Sequence, residues 1–260
     1  MRNLFSMLLI TATLVLVSGC SYMKAMKTFS PETFGMEKIS DYVYVNPEMS
    51  KNSREKILEY VKESRKNIVA IYGGVKSTPD VIACSTEECY RKFGGVTSKA
   101  KNYGGVSFLL SPRGMTAPLI THEWSHNELY TRLDSFWYYR NIPQWFDEGL
   151  AVVASKEPTH SDEVWRYILK HNIPKPSLDN LVSLNEWHKA ISKYGVLANK
   201  GNNPGKISVV YATAGHEVRK WYKCVEKSGV LEIINLIQSG HEFSYVYESI
   251  KRNSKCKESI

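Results

Sequence analysis

Three residues in one short stretch, His122, Glu123 and His126, have the types and the spacing for metal chemistry. They stand in Thr121-His122-Glu123-Trp124-Ser125-His126, an H-E-x-x-H pattern. Residues four apart on an α-helix lie one above the other on the same face, so both imidazoles would point toward one ion. Glu123 lies one step round the helix, beside such an ion and not on it, where a general base could act on metal-bound water. Catalytic zinc takes three protein ligands and keeps a fourth position open. The third candidate is Glu148, in Ile142-Pro143-Gln144-Trp145-Phe146-Asp147-Glu148-Gly149-Leu150-Ala151. Pro143 can open a helix, and Glu148 then falls in its second turn. Enough chain separates His126 from Glu148 to end one helix, cross a loop and start another packed against it.

The two segments together, H-E-W-S-H and P-Q-W-F-D-E-G-L-A, resemble the gluzincin metallopeptidases, the thermolysin-like and aminopeptidase-like group, and most of all the peptidase MA-like domains. The resemblance is tight over residues 118–151 and looser over about 40–250. It implies one zinc ion per chain on His122, His126 and Glu148, with Glu123 as the base that activates a zinc-bound water for peptide-bond hydrolysis. It also implies a zincin-like α+β fold: a mixed β-sheet lobe carrying the active-site helix, then a helical lobe. Related aminopeptidase-like gluzincins supply an oxyanion donor from a helix well downstream of the third ligand. The counterpart here is the stretch 210–216, with Tyr211 the first choice and His216, the kind of donor thermolysin uses, the second. The aminopeptidases also carry an acidic G-x-M-E-N-type segment, whereas residues 108–115 contain no acidic residue; endopeptidase action is therefore the better expectation. Ligand histidines normally need an outer hydrogen-bond partner, and Val152, one turn beyond Glu148, cannot be one.

The elements that must position these residues follow a leader. Arg2 is followed by an apolar run over 4–17, too short for a membrane span, and then by Val17-Ser18-Gly19-Cys20. This resembles a bacterial lipobox. It implies a signal peptide over 1–19, lipid on Cys20, and a tether over 20–40 that holds the chain in the cell envelope through the membrane. Ser21 after the cysteine, by resemblance to enterobacterial sorting, implies the outer membrane, facing the periplasm. The folded domain is expected over 41–260, as a mixed lobe over 41–156 and a helical lobe over 157–260. Hydrophobic content of 43% with 12% aromatic residues excludes a long disordered region. The net charge of +8 comes from scattered basic residues without a run, and no nucleic-acid-binding motif is present. Export to an oxidising compartment predicts disulfides among the four cysteines after Cys20; of the three possible pairings, Cys84–Cys89 with Cys224–Cys256 is favoured because each bond stays within one expected lobe, and the alternative is free buried thiols.

Strands are expected over 41–45, 68–72, 80–84 and 106–111, the last bordering the cleft as the sheet edge if the resemblance extends that far, or lying inside the sheet if it does not. Ser85 with Glu88 predicts a capping box for a short helix to about residue 92. Residues 94–105 read as a glycine-bracketed loop, and the aromatic stretch 134–141 as a plug between lobes or a substrate wall. Helical spacing covers 52–66, the two ligand segments, and 161–171, 184–194, 208–226, 229–238 and 242–252. Two function classes fit this pattern: a zinc metallopeptidase acting on an envelope peptide or protein, and an envelope binding or structural lipoprotein that keeps the metal without catalysis. An intact Glu123 favours the first.

Overall fold

The computed structural model describes residues 26–197 and 207–254. The expected leader, Cys20 and Cys256 lie outside them. The chain is an α+β protein that divides into two compact units: residues up to 58 with 78–115, and residues 59–77 with 116 onward. The division differs from a boundary near 156, because both ligand helices belong to the helical unit.

The first unit is built on a five-stranded sheet. In chain order it comprises β1 (Glu37–Ser40), β2 (Val43–Val45), the start of helix α1 (Lys51–Tyr72), β3 (Asp80–Ala83), α2 (Glu87–Lys92), β4 (Ala100–Tyr103) and β5 (Ser107–Leu110). The spatial order is β1-β2-β3-β5-β4. The β2–β3 and β3–β5 pairs are parallel, and the two outer pairs are antiparallel. Strands covered on both faces read as continuous apolar runs, and Val81-Ile82-Ala83 and Phe108-Leu109-Leu110 are fully buried. The edges carry Lys38 and Lys101, which discourage pairing with another chain. β5 is thus interior, and the edge beside it is β4, inside the segment expected to be loop.

Other expectations change here. The 20–40 tether does not extend to 40: Pro31–Phe34 is a 3-10 turn, β1 follows, and Met36 is buried with Tyr44, Ile82, Tyr90, Phe93 and Leu109. Thr86, one residue later than Ser85, caps α2 by accepting from the Cys89 amide. Cys84 and Cys89 form a disulfide that ties α2 to the end of β3. Residues 68–72 are the last turns of α1 and not a strand. Ile57, Val61, Ser64, Ile68 and Tyr72 are all buried and continue one helical stripe, and no glycine or proline interrupts it.

The second unit is helical. It contains the rest of α1, then α3 (Ala117–Leu133), α4 (Phe136–Arg140), α5 (Gln144–Ser155), α6 (Asp162–Lys170), α7 (Leu184–Tyr194), a two-stranded pair β6 (Val196–Leu197) and β7 (Ile207–Ser208), α8 (Val209–Gln238) and α9 (Phe243–Asn253). The two helices expected over 208–238 are consecutive segments of α8, broken at Glu226, where φ is 52° and ψ is −158°. α4 takes the place of a plug, with Phe136 and Trp137 exposed. Cys224 is disulfide-bonded; its expected partner lies outside the described residues. Among the described residues no helix is long and apolar enough to cross a membrane.

α3 is anchored on its back face by a buried polar network. Glu128, fully buried, accepts from the backbone amides of Lys76 (2.8 Å) and Ser77 (2.9 Å), from the Ser77 hydroxyl (2.7 Å) and from Arg132 Nε (2.7 Å). Trp124 Nε1 donates to Ser77 Oγ, and Arg132 donates on to the Gly74 carbonyl. Ser64 and Tyr72 of α1 add hydrogen bonds to Ala117 and Ser125. Replacing one partner of a buried charge pair leaves the other uncompensated, at a cost of about 3–5 kcal/mol. Glu128→Gln is expected to lose roughly that much stability, read from urea unfolding of the metal-free chain; a loss near zero would show that Arg132 is solvated in its absence.

Candidate metal centre

α3 is capped by Thr116, whose side chain accepts from the Leu119 amide, with Pro118 in the first turn. The helix is regular through 122–126, so His122 and His126 share a face, with ring centroids 4.8 Å apart. α5 begins after Pro143. Its first amides, Gln144 and Trp145, donate to the carbonyls of Val182 and Leu181, which fixes the angle at which the helix enters. Its buried aromatic side joins Trp145 and Phe146 to Trp221 of α8 and to Phe243 and Tyr247 of α9, with ring centroids 4.9–6.0 Å apart.

Gly149 is required by close approach. A Cβ there would lie 2.6 Å from the Ala214 carbonyl oxygen and 2.5 Å from a Val218 methyl. The reciprocal glycine is Gly215, where a Cβ would lie 2.5 Å from Val152. Two glycines facing in opposite directions let α5 and α8 approach closely. Tyr211, one turn before Gly215 on the same face, is thereby carried to the histidines.

The three expected ligands are brought together. His122 Nε2 and His126 Nε2 are 3.2 Å apart, and Glu148 Oε2 is 3.2 Å from the first and 3.7 Å from the second. An ion with tetrahedral bonds of about 2.0–2.1 Å holds its ligands about 3.3–3.4 Å apart, so these three atoms already stand at ligand spacing. Glu148 Oε1 accepts from Gln144 Nε2 at 3.0 Å, while Oε2 is buried and takes no hydrogen bond. An orphaned buried carboxylate oxygen beside two imidazole nitrogens is the donor set a metal ion satisfies. His122, His126 and Glu148 can therefore hold one.

Asp147 supplies the orientation. Its Oδ1 accepts from His126 Nδ1 at 2.8 Å. Because the Nδ1 proton is directed to Asp147, the lone pair on Nε2 is directed to the centre. Asp147 is buried, which by itself would raise its carboxyl, but His126 and the hydrogen bonds from His126 and Tyr139 hold it below the usual carboxylate range. For His126 the balance is the reverse. Burial alone would depress the imidazole, but Asp147, Glu148 and Glu123 outweigh it and raise it to about 10. The centre therefore demands a positive charge, met by a second proton on His126 or by a metal ion that displaces it.

Glu123 is half-buried and adjacent to His122. The Tyr211 ring lies 5.9 Å from that of His122, stacks on His160 at 5.1 Å and meets Trp187 edge-on at 5.0 Å. Glu148 first, then burial and Glu123, raise its phenol well above the ordinary value, so it remains a proton donor. His216 is not brought to the centre. Five residues beyond Tyr211 it faces another side of α8, where its ring stacks on Trp165 at 4.3 Å and burial depresses it.

Sequence reasoning excludes Val152 as the outer partner and does not reach Asp147, whose place directly beside Glu148 is the one legible signal. No family model, curated protein or solved structure matches the chain. Elemental analysis of the full chain is expected to find about one metal ion per molecule, sharply reduced in Glu148→Gln. Asp147→Ala is expected to weaken binding about 10–100-fold without abolishing it; equal retention in all three proteins would remove the centre as drawn.

Proposed function

We propose that the chain is a zinc metallopeptidase of the gluzincin type, with a zincin-like domain tethered in the bacterial cell envelope. The observation that carries this reading is the convergence of His122, His126 and Glu148 at tetrahedral ligand spacing, with Glu123 one step away on the same helix. Two imidazoles and one carboxylate suit zinc better than the harder oxygen-seeking ions. A zinc ion bound there supplies the Lewis acidity that makes water nucleophilic near neutral pH and polarises a carbonyl.

The protein groups divide the remaining work. Glu123 takes the proton from the attacking water and returns it to the leaving amine, which requires a carboxylate beside the ligands and not among them. Tyr211 donates its hydroxyl proton in a hydrogen bond to the oxygen that gains charge as the carbonyl becomes tetrahedral. Its raised phenol pKa suits that role, because the group must keep its proton at neutral pH. His126 and Glu148 are held from behind by Asp147 and Gln144, so these two ligands need little reorganisation. The packing of His216 on Trp165 leaves Tyr211 the preferred donor of the two. The absence of an acidic residue over 108–115 supports endopeptidase action on an envelope peptide or protein. The positive n-region, the apolar run and the lipobox-like Val17-Ser18-Gly19-Cys20 support the envelope location and the anchor on Cys20.

Two substitutions test the assignment. Glu123→Gln is expected to bind zinc normally and to lose peptidase turnover by about 10²–10⁴-fold; near-normal turnover on the same peptide library would refute the base. Tyr211→Phe is expected to keep its zinc and to lose turnover by about 10²–10³-fold with KM little changed, and an unchanged kcat would take Tyr211 out of the site.

A further inference from the structure

Asp147 has two carboxylate oxygens and is only 4% exposed. Oδ1 holds His126, and Oδ2 accepts the hydroxyl hydrogen of Tyr139. We propose that Tyr139 is a positioning residue of the metal centre, acting through Asp147 and His126, so that zinc affinity depends on how α4 is held. The proposal rests on the zinc reading above and extends it to a residue that touches neither metal nor substrate.

The geometry gives the reason. A buried carboxylate fixed by one oxygen can rotate about its Cβ–Cγ bond, and the imidazole bonded to it follows. A donor on the second oxygen removes that freedom, so both rings of the chain Tyr139–Asp147–His126 are aimed. The phenol itself is fixed at three places. Its backbone belongs to α4, which Ser135 caps by accepting from the Trp137 amide, and the Tyr139 amide donates to the Ser135 carbonyl at 3.0 Å. Its ring meets Tyr130 edge-on at 5.3 Å. Tyr130 stands on α3 one turn beyond His126, on the ligand face. Tyr139 is thus set between the two ligand helices, bonded to one and packed on the other. Burial, then the charge of Asp147, raise its hydroxyl well above the ordinary tyrosine value, which keeps it the donor.

Two effects oppose one another. The hydroxyl draws charge out of Asp147 and so makes His126 a weaker base, but it also fixes the direction of the imidazole. Loss of a direct outer partner costs about 10–100-fold in metal affinity. A partner one bond further out should fall at the lower end, so the expected net effect is a loss of about 10-fold. Phe136 and Trp137 of α4 do not share the role, being 54% and 69% exposed.

The test is a double-mutant cycle on the full chain. Zinc dissociation constants are measured on metal-stripped protein by competition with a chromophoric chelator, for the wild type, Tyr139→Phe, Asp147→Ala and the double variant. Tyr139→Phe keeps the ring and is expected to bind about 10-fold more weakly, while in the Asp147→Ala background the same change has less than about a twofold effect, since the path to the metal is already cut. The cobalt-substituted wild type and Tyr139→Phe are expected to differ in their visible bands, and Tyr130→Phe is expected to leave the spectrum unchanged. Equal affinities of Tyr139→Phe and the wild type, losses that simply add in the double variant, or a Tyr139→Phe chain unfolded without metal would each overturn the proposal. A wild-type chain that takes up no zinc overturns the reading of the centre and this role with it. A wild type that binds one ion, beside a Tyr139→Phe chain that binds it equally well, overturns only the role of Tyr139.

Discussion

The bond from His126 Nδ1 to Asp147 is the interaction on which the centre depends. It joins the two ligand helices, since His126 is on α3 and Asp147 on α5, and it decides which nitrogen of the imidazole is left to bind. A histidine without such a partner can present either tautomer and either ring flip, and half of those states aim a proton at the ion. Here the acceptor is a buried carboxylate, kept ionised by the ring it orients. Because Asp147 precedes Glu148 directly, the residue that aims one ligand and the residue that is another share a single turn of α5. A rotation of that helix would spoil both at once, which explains why its entry is fixed by paired backbone amides at 144 and 145 and its exit by the glycine contact with α8.

α3 carries ionised groups on two faces, and each is satisfied differently. The ligand face concentrates Glu123 beside two imidazoles and, across from them, Asp147 and Glu148. That surplus of negative charge raises His126 and suits a cation. The opposite face holds Glu128 against Arg132 and the amides of 76 and 77, a closed set in which the carboxylate accepts four hydrogen-bond donors. Leaving a buried charge unpaired costs several kcal/mol, so the second network has to be complete for the helix to be stable, whereas the first can be completed by a proton on His126 or by an ion. The difference between a satisfied and an unsatisfied buried charge is what separates scaffold from site within one helix.

The sequence made the ligands legible because metal chemistry imposes a spacing that local structure preserves: His122 and His126 meet on any regular helix, and Pro143 before Glu148 fixes a second one. The partners that depend on tertiary packing were not legible. Tyr139 is one of several aromatic residues in a short run, and only the fold turns its hydroxyl to Asp147. Glu128 and Arg132 look like an ordinary surface pair four residues apart until the loop at 73–77 closes over them. Among the elements, residues 68–72 carry a β-branched apolar run that competes with helix continuation; the stripe from Ile57 to Tyr72 decides the matter, since a helix already begun adds residues more readily than a strand starts without a partner. The glycine-bracketed segment became β4 for the opposite reason. Ala100–Tyr103 has little apolar signal, and the strand forms because β5 offers it an edge.

The source of rigidity bears on what the ion is for. In small domains organised by a structural metal, the ion is enclosed by four protein ligands and folding waits for it. Here three ligands come from two helices already packed by other means: α5 through Phe146 against Trp221 and Phe243, and α3 through Trp124 and the Glu128 network. The ligand atoms stand at coordination spacing with Asp147 and Gln144 behind two of them, so binding an ion asks for little movement. Helices packed by other contacts that also bring His122, His126 and Glu148 together, with Glu123 and Tyr211 close by, accord with the proposed reading, in which the ion is held for chemistry and not for folding.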